Sequence, residues 1–118
     1  MRTIELGRAG EDVAAAYLRS RGMRVVGRNW RCPAGEIDLV AIDDRWLVIC
    51  EVKTRRSLVA GEPVEAVTPD KVRRLRRLAF AWIEAHGSAP RHTVRIDVVC
   101  VCWPSHGPAI VRHLKWVG

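Results

Sequence analysis

Two short runs, Leu39-Val40-Ala41-Ile42 and Leu47-Val48-Ile49-Cys50, are apolar at every position and are separated by a polar break that opens with Asp43-Asp44. A strand wetted on one face alternates apolar with polar residues, whereas a run that is apolar on both faces is covered on both. Asp-Asp supplies turn chemistry, so the runs are expected to pair as an antiparallel hairpin at the centre of a layered sheet. Acids flank the hairpin's open end. Glu36 and Asp38 precede or enter the first run, Glu51 follows the second, and Lys53 lies two residues further on.

The rest of the chain supplies the layers. Thr3 to Arg21 has helical periodicity, with Leu6, Ala9, Val13, Ala16 and Tyr17 on one stripe and Gly22 as a stop. Met23 to Trp30 is rich in β formers, and Cys32-Pro33-Ala34-Gly35 reads as a turn into the strand Glu36 to Ile42. Trp46 to Lys53 completes the hairpin. Thr54 to Val67, with Gly61 and Pro63, has no period and is expected to be an open loop. Thr68 caps a second helix from Pro69 to about Ala85, burying Val72, Leu75, Leu78, Ala79, Trp82 and Ile83 and ending at Gly87. Strands Thr93 to Trp103 and Ala109 to Val117 follow. The expectation is one α/β domain over residues 1–118, a mixed central sheet flanked by helices in the order αβββαββ.

No apolar stretch approaches the length that spans a bilayer, and the first ten residues hold no signal-peptide core, so a cytoplasmic protein with no membrane partner is expected. Cys32, Cys50, Cys100 and Cys102 lack the paired spacing of a zinc site and read as reduced, packed thiols. His86, His92, His106 and His113 are scattered and read as solvated or satisfied. The five tryptophans read as core and sheet packing. The net charge of +7 favours a polyanionic partner. Seventeen of the 20 basic residues are arginine, which suits bidentate phosphate contacts and equally follows from a GC-rich genome.

Side chains alternate along a strand, which puts Glu36, Asp38, Val40 and Ile42 on one face and Leu47, Ile49, Glu51 and Lys53 on one face of the next strand. Closing the hairpin at Asp43-Asp44 sets Asp38 opposite Cys50, one register step or bulge from alignment with Glu51. Two carboxylates in an apolar setting repel, and a divalent cation between them resolves the conflict. Magnesium, or manganese, suits such oxygen ligands, with a substrate phosphate completing the shell. Asp38 and Glu51 would hold the metal, and Lys53 would orient or deprotonate a water for phosphodiester hydrolysis. The plainer reading is a polar alternation on a half-wet hairpin, and the covered apolar runs weigh against it. Glu11 either approaches the metal from the first helix or is an ordinary carboxylate near a helix N-terminus.

Arg55 and Arg56 extend the charge beyond Lys53, and Lys71, Arg73, Arg74 and Arg77 lie on the second helix. A solvated helix face accounts for such a run, but cations in a helix's N-terminal half oppose its dipole, so phosphate is the expected partner of some of these residues. Asp97, in an apolar strand, reads as support for the site or as an ion pair near Arg95.

Gly7-x-x-Gly10-Glu11, Arg28-Asn29-Trp30-Arg31, Gly35-Glu36-Ile37-Asp38-Leu39-Val40, Glu51-Val52-Lys53-Thr54-Arg55, Gly61-x-Pro63-x-x-Ala66-Val67 and Lys71 together closely resemble the bacterial YraN family over nearly the whole chain. That family is uncharacterised and is similar to the PD-(D/E)xK nucleases, archaeal Holliday junction resolvases among them. The resemblance implies a restriction-endonuclease-like fold, with Asp38, Glu51 and Lys53 as catalytic acid, acid and lysine, and Glu11 as the helix-one glutamate. Ile37 stands where the superfamily name has proline. The implied function is a metal-dependent endonuclease on nucleic acid, DNA before RNA, with branched or damaged DNA as substrate and a homodimer by analogy. The alternatives are a non-cutting nucleic-acid-binding module of the same fold and a protein-interaction adaptor.

Overall fold

The computed structural model describes residues 3–56, 67–87 and 93–118. Its elements are α1 (Thr3–Ser20), β1 (Arg24–Cys32), β2 (Gly35–Asp43), β3 (Trp46–Arg55), α2 (Pro69–His86), β4 (Thr93–Cys102) and β5 (Ile110–Leu114). The expected order αβββαββ holds, although β3 runs to Arg55, where a loop was expected from Thr54, and β5 stops short of Val117. Gly61, Pro63, Ala66 and His92 lie outside the described residues.

The five strands form one sheet in the order β1-β2-β3-β4-β5. Neighbours are antiparallel except β3 and β4, which run parallel, as a connection carrying a helix allows. Each helix covers one face. Ala14, Ala15 and Leu18 of α1 pack on Leu39, Ala41, Val48, Cys50, Val99 and Val101. Leu75, Leu78, Ala79 and Trp82 of α2 pack on Ile37, Val40, Leu47, Ile49 and Ile96. The apolar runs of β2 and β3 are thus split residue by residue between two cores, which is why neither alternates in hydropathy. Among the described residues no helix is long and apolar enough to cross a membrane.

The buried face of α1 is Leu6, Gly10, Ala14, Ala15 and Leu18, rotated from the expected stripe, and Ala16 is exposed. Gly10 explains the rotation. A Cβ there would overlap the Thr54 side chain, so the helix seats its bare backbone against β3. The α2 caps are as expected: Thr68 accepts a hydrogen bond from the Lys71 N–H at 3.2 Å, and Gly87 closes the C-terminus with φ 67°.

The hairpin differs by one step from the expected register. Asp43 pairs with Trp46, so the loop is Asp44-Arg45 rather than Asp43-Asp44, with Asp44 at φ 56°. Aspartate tolerates that left-handed conformation better than most residues. Leu39 consequently pairs with Cys50, and the next position in the same register sets Asp38 against Glu51.

Candidate functional site

The β2-β3 ladder ends at Leu39 and Cys50. Asp38 Oδ2 instead accepts a hydrogen bond from the Val52 N–H at 2.8 Å, so the side chain satisfies a backbone donor where the two strands part. Alternation is also broken here. Ile37 and Val40, three residues apart, both pack in the α2-side core, so Glu36, Asp38, Val40 and Ile42 do not share one face as expected. Asp38 sits at that interruption, half-buried.

Burial pushes the Asp38 carboxyl up to about 6, and Glu51, Glu11 and Glu36 push in the same direction against the Val52 N–H. The expected companions of Asp38 are therefore its electrostatic neighbours. Glu51 lies next in register along β3, and its carboxylate is held by the Lys71 ammonium at 2.7 Å, with both side chains less than one-fifth exposed. Burial pushes the Lys53 ammonium down, and the Lys71 ammonium beside it adds to this against the pull of Glu51 and Asp38.

Lys71 thus belongs to the acid cluster. Its partner in the structure is Glu51, not an external phosphate, and Arg73 is likewise paired with Asp70 one helical turn away. These two carboxylates answer the unfavourable dipole that had pointed to phosphate. Arg74 and Arg77 line a shallow cleft with Thr68, Asp70 and Lys71. Arg55 closes β3, while Arg56 borders a hollow with Leu6, Trp103, Pro104 and Ser105.

The donor set at the acid cluster consists of carboxylate oxygens, and at Asp38 burial, reinforced by the neighbouring acids, disfavours the charged form. Two carboxylates fit magnesium, which keeps several waters and borrows substrate oxygens. Among the described residues no three His, Cys, Asp or Glu side chains converge closely enough to hold an ion unaided, so Glu11 does not close a three-carboxylate cage.

A second polar cluster lies in the α1-side core. Asp97 is fully buried and binds Arg95 through two hydrogen bonds of 3.0 Å, His113 Nε2 at 2.7 Å and the Trp116 N–H at 3.2 Å. Arg95 continues to Asp43 at 2.9 Å, and His113 Nδ1 lies 3.3 Å from the Tyr17 hydroxyl. Burial alone would raise the Asp97 carboxyl, but His113, Arg95 and the Trp116 N–H outweigh it and hold it below its ordinary value. Asp97 is therefore a strut joining β2, β4, β5 and, through His113, α1. All four cysteines are free, and three are buried.

Fold and site together define the class: a restriction-endonuclease-like α/β domain with two acids and a lysine at the open end of its central hairpin. A family model described as "Uncharacterised protein family UPF0102" matches residues 10–101. The chain belongs to this family, the YraN family of the sequence comparison. It is 54% identical to the UPF0102 protein of Renibacterium salmoninarum over 121 residues, covering all of both chains. It is 54% identical to that of Kineococcus radiotolerans over 112 residues, 95% of this chain and 92% of the relative. It is also 54% identical to that of Streptomyces coelicolor, over 95% of this chain and 87% of the relative.

Proposed function

We propose that this protein is a divalent-metal-dependent endonuclease hydrolysing phosphodiester bonds in DNA, with branched or damaged DNA as its substrate. The observation that carries the reading is geometric: Asp38, half-buried where β2 and β3 part, stands next in register to Glu51, with Lys53 two residues beyond, and burial pushes the Asp38 carboxyl up. Acids gathered in such a place are costly to folding, and they are of use when they bind a cation. Asp38 and Glu51 would hold Mg2+ or Mn2+, which supplies Lewis-acid polarisation of the phosphoryl group and a more acidic bound water. Lys53, two residues from Glu51, would hold a water or a phosphate oxygen, and burial, which lowers its proton affinity, would favour its part in proton transfer. Lys71, released from Glu51, would meet the negative charge of the substrate. Arg55, Arg56, Arg73, Arg74 and Arg77 would supply phosphate contacts around this centre.

A second reading, a binding module without cleavage, draws on the 2.7 Å contact of Lys71 with Glu51, because a lysine already neutralises one of the two acids. The test is cleavage of labelled duplex, single-stranded, flap and four-way-junction DNA with magnesium or manganese, by the wild type and by Asp38→Ala and Glu51→Ala. Metal-dependent cutting by the wild type, lost in both variants, is expected. Binding without cutting, equal in all three proteins, would replace the catalytic reading with the binding one.

A further inference from the structure

The two glycines of the α1 motif stand in opposite surroundings. Gly10 is dictated by Thr54, but a Cβ built at Gly7 meets nothing within 4 Å among the described residues. Glycine inside a helix costs stability relative to alanine, and packing among the described residues gives no reason for it at this position. The space above Gly7 is a cleft of about 610 Å³ between α1 and the β1-β2 hairpin, lined by Ile4, Gly7, Arg8, Glu11, Asn29, Arg31 and Glu36. Its volume lies in the ordinary range for ligand sites.

Three features give the cleft a chemical character. Arg8 and Arg31 bring two guanidinium groups to its walls. Arg31 is 80% exposed and only loosely held by Glu36 at 3.4 Å, so it is available to an incoming anion. Asn29, mid-strand in β1, has φ 49°, a left-handed conformation in which non-glycine residues are uncommon. Arg28 pairs with Leu39 and Trp30 with Ile37, which sets Asn29 across from Asp38. The interruption of β2 at Asp38 and the turned backbone of β1 at Asn29 are therefore one local distortion, and such distortions collect at functional sites. Glu11 and Glu36, both in the lining of the cleft, also act electrostatically on Asp38.

Resting on the nuclease reading, we infer that this cleft holds the stretch of nucleic-acid strand adjoining the scissile phosphate, its backbone passing over Gly7 with phosphates on Arg8 and Arg31. The missing side chain at Gly7 is the clearance for that backbone. Asn29 offers both a donor and an acceptor to the sugar or base beside Asp38. Exposed Ile4, at 72%, provides an apolar wall for the same nucleotide. The strand thus approaches the acids from the α1 side, and the arginines of α2 approach from the other face of the sheet.

The test measures binding apart from cutting. Fluorescein-labelled duplex and four-way-junction DNA are titrated by anisotropy in calcium buffer with full-length wild type, Gly7→Ala, Gly7→Phe, the Arg8→Ala/Arg31→Ala double variant, and Arg19→Ala as a control at the far end of α1. Gly7→Phe and the double variant are expected to weaken binding by about tenfold, and the salt slope of the double variant should be shallower by about 1 for each phosphate it no longer neutralises. Gly7→Ala should melt no lower than wild type, and Arg19→Ala should bind within about twofold of it. Should Gly7→Phe fail to fold, the arginine pair decides. Unchanged binding in the double variant and in a folded Gly7→Phe overturns the inference even if the wild type cuts DNA. Weakened binding in a chain that never cuts sustains the cleft and removes only the catalytic reading.

Discussion

Replacing Asp38 by asparagine should make the metal-free protein more stable, although it removes the residue on which the proposed chemistry most depends. A carboxyl raised from 3.8 to about 6 favours its protonated form in the folded state. The folded protein is therefore penalised as pH rises through that window, and the penalty is complete above pH ~6. At ~1.36 kcal/mol per pH unit this amounts to about 3 kcal/mol, and screening at a half-buried group reduces it to about 1–2 kcal/mol. Asparagine has nearly the same shape, bears no charge, and keeps an oxygen for the Val52 N–H now bound at 2.8 Å. Asp38→Asn should thus gain about 1–2 kcal/mol at pH ~8, or roughly 4–10 °C in Tm for a domain of this size. The gain should shrink as pH falls through ~6 and vanish below pH ~3.8, where the carboxyl is protonated in the folded and the unfolded chain alike. Thermal melts in metal-free buffer across this range read the difference directly, and added magnesium should raise the Tm of the wild type alone. An asparagine variant no more stable than wild type at pH ~8 would refute the idea that burial and the neighbouring acids disfavour the Asp38 carboxylate.

Asp97→Ala should cost about 3 kcal/mol by urea denaturation, near the low end for breaking a buried ion pair because Arg95 retains Asp43, and the Arg95→Met/Asp97→Leu double variant should recover most of it; a loss under ~1 kcal/mol would show that the cluster is not a strut. Gly10→Ala should destabilise by about 1–3 kcal/mol through its overlap with Thr54, with part regained in Gly10→Ala/Thr54→Ala, whereas a neutral Gly10→Ala would mean that α1 is not seated on β3 as described. Lys71→Met removes the ammonium that competes at Glu51, so calorimetry should find Mn2+ bound about 3–10-fold more tightly, and weaker binding would show that Lys71 assists the ion.

The central hairpin and its acids were legible because covered strands leave an unmistakable apolar signature, and Glu51 and Lys53 follow from alternation along a single strand. The exact partner of Asp38 was not. Asp43-Asp44 and Asp44-Arg45 are both plausible turns, and the choice shifts every cross-strand pair by one. Alanine-rich α1 carries apolar residues around much of its circumference, so its buried face was set by the fit of Gly10 on Thr54, a contact between distant parts of the chain. For the same reason Lys71 looked like one more helix cation until α2 was laid against β3. The Arg95–Asp97 pair was half visible, but its completion by His113 and Trp116 depends on β5 lying beside β4.

The parallel pairing of β3 with β4 has a consequence for the order in which the site is assembled. Strands β1 to β3 join through short turns, so Asp38, Glu51 and Lys53 are gathered by contacts close in sequence, which form early. Lys71 arrives only with the crossover that carries α2, after a larger loop has closed. An intermediate with the hairpin formed and the crossover open would hold the acids together without their ammonium, and docking of α2 would relieve that repulsion. Lys71 therefore has a part in the fold itself, its ammonium offsetting the charge of Glu51 as Leu75, Leu78 and Trp82 of α2 are buried on the sheet.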